Sequence, residues 1–204
     1  MGARRMGWMT ALAAAVLLAV PGEGRAQVAW DTPLLVPPAP PPGLGVYLMD
    51  AYGGKLGVMG AWRASYWNFQ VRAGLAEDSP GGDLAVFGGV DYSGAVTRDT
   101  RDFPLDIDWI VGAGASIGDG AWLSFPAGLV VGHTFVAENV RFTPYLSPRV
   151  MLDAFLDTGG EDGSDMDLDF AADLGLDFRF SNALLFRFGG TLGDRDGVAI
   201  GVVF

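Results

Sequence analysis

Aspartates at 165, 167, 169, 173 and 177 punctuate the stretch DMDLDFAADLGLDFRF, and Glu161 and Asp162 stand just before it. Carboxylates at that density can hold a divalent cation or move protons. The segment 157–169 does not carry the glycine and terminal glutamate of a calcium-binding loop in register. Solvated loop charge is the plainer expectation, and binding of calcium or magnesium by 157–169 stays open. His133, the single histidine, is the other residue with catalytic potential. A general base needs a nucleophile and an orienting acid in reach. Thr134 and Phe135 follow it, and Glu138 is the nearest acid in sequence. With no cysteine in the chain, thiol catalysis and zinc–thiolate sites are excluded. GAGASIG at 112–118 looks like a phosphate loop only until its context is considered. Such a loop opens a helix, whereas these glycines fall on one face of a strand. No catalytic residue, metal or cofactor is expected.

The elements that position these residues have a period of two rather than 3.6. Alternation runs through 43–52, 55–65, 66–77, 83–95, 104–118, 121–136, 139–157, 165–180, 184–192 and 196–204. Within 104–118, for example, Leu105, Ile107, Trp109, Val111 and Ile117 share one face, while Asp106, Asp108, Gly112, Gly114 and Ser116 share the other. Ten such segments predict an all-β fold, a single closed antiparallel up-and-down barrel with both termini at one end. Eight or twelve strands result if segments merge or split. Tight turns near Ser65, 137–139 and 181–183 alternate with longer connections at 78–82 and 157–165, an asymmetry known from transmembrane barrels. Pro126, Pro144 and Pro148 resist the scheme, because proline cannot donate to a ladder. Either bulges sit there, or part of that hairpin stands clear of the wall.

Upstream of the strands, Arg4 and Arg5 precede the apolar run Trp8–Val20, and Gly24-Arg25-Ala26 offers small residues for cleavage. Residues 1–26 thus predict a secretory signal peptide. Residues 27–42 hold Pro33, Pro37, Pro38, Pro40, Pro41 and Pro42 and predict an extended periplasmic linker; the barrel domain is 43–204. The net charge of −11 disfavours nucleic acid as a partner.

Alternation alone cannot say which face is outside. A soluble exported β-barrel or sandwich, the alternative reading, hides its apolar face; a membrane barrel shows it to lipid. Trp62, Trp67, Tyr92, Trp109, Phe142, Phe180 and Phe204 all fall on apolar faces near the tight-turn end, as a membrane interface favours. The opposite face mixes Arg63, Arg72, Arg141, Arg149, Arg179 and Arg187 with Asp106, Asp108, Asp153, Asp169, Asp173 and Asp177. Gly57, Gly74, Gly89, Gly112, Gly114 and Gly175 lie there too, as if making room for arginine and aspartate side chains in a narrow lumen. A three-residue loop at 181–183 sets Phe178 against Phe186 and Asp177 against Arg187, a lumenal ion pair. The preceding hairpin is expected to set Val136 against Asn139 and His133 against Phe142.

The chain closes on GVAIGVVF, in which Val198, Ile200, Val202 and Phe204 alternate up to a terminal aromatic. In this, and in the leader and even strand count, it resembles small bacterial outer-membrane β-barrel proteins. The resemblance implies recognition of Phe204 by the barrel-assembly machinery and contact with outer-membrane lipid and lipopolysaccharide. Such proteins serve as adhesins, small channels or lipid-A-modifying enzymes, and others have no assigned role. A lipid A hydrolase or acyltransferase using His133 is the less favoured outcome. A structural or surface-interaction role in the outer membrane, with a charge-plugged acidic lumen of little or no conductance, is the reading adopted.

Overall fold

In an extended backbone successive side chains point to opposite faces, and here each face finds a different environment. The computed structural model describes residues 29–50, 56–77, 84–118, 120–156, 165–180 and 184–204. Its strands are β1 (Gly43–Asp50), β2 (Leu56–Arg63), β3 (Phe69–Glu77), β4 (Leu84–Thr97), β5 (Asp106–Ile117), β6 (Ala121–Gly132), β7 (Phe135–Ala137), β8 (Val140–Leu156), β9 (Asp165–Arg179), β10 (Leu185–Gly193) and β11 (Gly197–Val203). All neighbouring pairs are antiparallel, and β1 pairs with β11 to close the sheet on itself. Both β6 and β7 pair with β8, at Gly132 opposite Tyr145 and Phe135 opposite Phe142. They are two pieces of one wall strand, so the barrel has ten. The signal-peptide segment, the loop 157–164 and the turn 181–183 fall outside the described residues.

The prolines interrupt hydrogen bonding without shifting it. Pairing between β5 and β6 skips from Val111–Ala127 to Gly114–Ser124, spanning Pro126, yet resumes in the same register. On the β6–β8 side it skips from Gly128–Arg149 to Val131–Leu146, next to Pro148. Toward β9 the ladder through Pro144 and Pro148 is continuous. Each proline therefore spends its missing donor on one neighbour only. Beyond Gly132 the hairpin pairs with β8 alone, since β5 begins opposite it at Asp106. Its tip stands clear of β5.

That hairpin corrects the expected register. Ala137 lies opposite Val140, and Phe142 faces Phe135 rather than His133. The two-residue turn moves from Ala137-Glu138 to Glu138-Asn139, with Glu138 at φ +50°, a conformation that glutamate does not advertise in sequence. The shift is an even number of residues, so every side chain keeps its face.

The outer surface is apolar over the whole wall. Leu44, Val46 and Leu48 on β1, Val86, Val90 and Tyr92 on β4, and Val198 and Ile200 on β11 are exposed. The lumen is filled, but less uniformly polar than the sequence suggests. Tyr47, Met49, Met59, Phe87, Ile110, Val130 and Met151 point inward beside the charged groups.

The largest departure concerns residues 27–42. Instead of a linker outside the barrel, residues 29–38 are buried within it, opening with a 3-10 turn at Ala29–Asp31. From Gly43 the chain runs back through Pro38, beside Gly132 at the tight-turn end, to Thr32, beside Gly197 at the other end. A lumen of ten strands leaves a space that must be packed with side chains, and this segment supplies Trp30, Leu34, Leu35 and Val36, each at most 2% exposed.

Candidate functional site: the plugged lumen

Inward-facing positions on alternate strands stack arginine and aspartate in tiers, and the internal segment runs between them. Arg187 on β10 donates to both carboxylate oxygens of Asp177 on β9, at 2.7 and 2.8 Å. Its remaining donor reaches the Leu35 carbonyl at 3.1 Å and the Tyr47 hydroxyl at 3.3 Å. One tier further in, Arg149 on β8 holds Asp173 at 2.7 Å, the Asp31 carboxylate at 2.9 Å and the Asp31 carbonyl at 2.8 Å. Thr191 also donates to Asp173, at 2.5 Å. At the loop end Arg195 bonds Asp31 and Asp153, with its Nε 3.9 Å from Asp169. Across the lumen Arg72 on β3 pairs with Asp91 on β4 at 2.6 Å, donates to the Trp30 carbonyl at 3.5 Å and stacks 5.7 Å from the Trp30 ring.

The arrangement has a rule. Arg72, Arg149 and Arg187 each satisfy a wall aspartate and then lend a spare N–H to a backbone carbonyl of the internal segment, at Trp30, Asp31 and Leu35. A guanidinium has five donors in a rigid fork, more than one carboxylate consumes. The segment's backbone takes the surplus, which is what an irregular chain in a water-poor interior requires. The segment itself is strained, with Leu35 and Ala39 both at φ +49°. Non-glycine residues stay in that region only where surrounding contacts over-determine them.

Glycines complete the fit, and their role differs from the expected one. A Cβ on Gly112 would come within 2.9 Å of the Trp30 ring, and one on Gly89 or Gly114 would meet it sooner. Gly197 accommodates Thr32, Gly132 accommodates Pro38 and Gly189 accommodates Leu35. Gly175 and Gly201 leave room for the rings of Tyr145 and Tyr47. Most of these bare positions thus clear space for the segment and for inward aromatics, whereas Gly128 lies against the Cβ of Arg149. At the loop end the inward Trp122 and Phe155 rings lie 4.6 Å apart, narrowing that mouth.

Of the lumenal residues singled out from sequence, Asp177, Arg187, Arg149, Asp173 and Asp153 lie in these networks. Asp169 is at their edge. Arg141 stands exposed at the tight-turn mouth, opposite Arg179 on the neighbouring strand. Sequence reasoning missed Asp31 and Arg195, the two ends of one pair. Arg195 sits in the turn between β10 and β11, flanked by Asp194 and Asp196, where a solvated side chain is the default; it is 1% exposed.

The aromatic residues singled out from sequence lie on the outer surface toward the tight-turn end. Trp62, Trp67, Tyr92, Trp109 and Phe180 are exposed. Trp62 packs edge-on to Phe69, Tyr92 lies 5.5 Å from Trp109, and Phe142 bridges Phe135 and Phe178. Val198, Ile200 and Phe204 are exposed on the same side as Val202. His133 is half-buried beside Phe135, with Nδ1 3.2 Å from Asp99. Among the described residues no three histidine or carboxylate side chains converge as a metal site.

No family model and no curated protein matches the chain. A solved structure from the de novo design of transmembrane β-barrels aligns over 82% of this chain and 98% of its own, at 18% identity and a TM-score of 0.36. That overlap is too loose to bear on function.

Proposed function

We propose that the protein is an outer-membrane β-barrel with a structural or surface-interaction role, its lumen sealed by its own N-terminal segment. The observation that carries this reading is the inverted burial pattern. Buried ion pairs occupy the inside, while valine, leucine, isoleucine and aromatic rings cover the outside of a closed wall. A water-soluble protein rarely exposes apolar patches beyond a few hundred Å²; a hydrocarbon surround makes such a surface favourable and demands a closed sheet with no free edge. The aromatic side chains gathered near one end support placement of that end at a headgroup layer. The filled lumen supports low or absent conductance, and no catalytic role is proposed for His133.

Unboiled and boiled gel migration after membrane fractionation tests the reading. A membrane-associated band that shifts on boiling is expected, and recovery in the soluble periplasmic fraction would refute it.

A further inference from the structure

At the tight-turn mouth, Arg141 on β8 and Arg179 on β9 are direct cross-strand partners. Like charges set opposite each other in an antiparallel pair repel, and this chain, with a net charge of −11, has carboxylates to spare. The other lumen-side arginines have found acceptors: Arg63 has Ser93, Arg72 has Asp91, Arg98 has Asp108, and Arg149, Arg187 and Arg195 have the aspartates described above. Among the described residues Arg141 and Arg179 have none. Asp177, the carboxylate that lines the same mouth, already has both oxygens on Arg187, and Asp108 is taken by Arg98 and the Ala39 N–H.

The two guanidiniums border a cavity of about 190 Å³. Thr134 and Thr143, whose hydroxyls lie 2.9 Å apart, are on the same side. The exit of the internal segment, Pro37, Pro38, Ala39 and Pro41, also lines it, together with Leu185 and the Arg187-bound Asp177. The prolines have no N–H to offer, and the Ala39 N–H is bound to Asp108 at 2.9 Å. Recognition must therefore come from the two arginines and the threonine hydroxyls. Two guanidinium forks on facing strand positions match the oxygens of a tetrahedral phosphate anion, whose charge offsets their mutual repulsion while each fork is engaged.

We propose that this mouth is a binding site for a phosphate group, held between Arg141 and Arg179. The phosphate is either a free anion entering the mouth or the headgroup phosphate of a lipid. The inference does not rest on outer-membrane placement, because the folded barrel in detergent carries the whole site.

The test is titration of the full-length protein in neutral detergent with inorganic phosphate, followed by calorimetry or phosphorus NMR. Saturable single-site binding is expected. Arg141→Gln and Arg179→Gln should each weaken it about tenfold or more, the loss anticipated for a charge-assisted contact. Arg179→Lys should retain part of the affinity, and Arg101→Gln, which alters an exposed arginine in the loop at the same end, should retain all of it. Heat-modifiable migration of each variant establishes that it folds. Absence of saturable binding by the unaltered protein overturns the proposal. So does undiminished binding by folded Arg141→Gln and Arg179→Gln, or an equal loss in Arg101→Gln. A second arm adds phosphatidylglycerol to the micelles. Competition with inorganic phosphate assigns the site to a lipid headgroup, and unchanged phosphate binding with phosphatidylglycerol present assigns it to the free anion.

Discussion

Arg187 and Asp177 are 3% and 6% exposed at their side chains, so neither charge can fall back on water if the other is removed. Truncating one partner of a buried pair costs about 3–5 kcal/mol, whereas replacing both by apolar groups of similar volume is often near neutral. Arg187→Ala should therefore lower unfolding stability in urea by about that amount, with Arg187→Met/Asp177→Leu recovering much of it. Equal losses in the single and double variants would show that packing, not charge, dominates at this position. Glu138 gives a prediction of opposite sign. Its φ of +50° is a conformation costing an L-residue about 1–2 kcal/mol. Glu138→Gly should stabilise the barrel by about 1 kcal/mol or less once glycine's extra chain entropy is subtracted. A fall in the urea midpoint would contradict the turn geometry. Residue-scale legibility was uneven for a physical reason. Asp177 and Arg187 belong to one hairpin, and a short loop plus face alternation brings them together. Asp31 and Arg149 are separated by 118 residues, and Asp31 and Arg195 by 164. Only closure of the barrel makes them neighbours.

At the scale of elements, the wall strands were readable because each must satisfy two unlike faces, and that demand writes itself into every second residue. The internal segment carries no such signature. Six prolines between 33 and 42 read locally as an extended, solvated chain, and the same extended form is what threads a narrow lumen. Its function as a seal can be measured. Removing residues 29–38 should raise single-channel conductance in planar bilayers, since those residues fill the space between the arginine tiers. Conductance equal to that of the intact chain would mean that wall side chains alone close the path. A subtler version alters the wall. Gly112→Leu places bulk against the Trp30 ring and should speed hydrogen exchange across 30–36, while the strand ladders stay protected. Unchanged exchange in that segment would exclude Trp30 as its anchor.

For the whole molecule, one parity rule organises the surface. Apolar parity faces out, mixed parity faces in, and the even shift between expected and observed register in the β7–β8 hairpin left that assignment intact. If the terminal Phe204 is read during assembly, as the resemblance implies, Phe204→Ala should reduce the heat-modifiable fraction in cells without changing the migration of whatever folds. A full yield of shifted band would remove that role.

The sequence by itself determined the strand segments, their antiparallel succession, which side chains share a face and the Asp177–Arg187 pairing. All of these follow from local geometry: a period of two, short loops and the parity they enforce. Only the tertiary structure decided that the proline-rich segment lies inside, that glycines make room for Trp30, Leu35 and Pro38, that Asp31 joins Arg149 to Arg195, and that Arg141 and Arg179 meet without a carboxylate. Those outcomes depend on the diameter of the closed wall and on contacts between segments distant in sequence, across 118 residues for Asp31 and Arg149, and no local pattern encodes either.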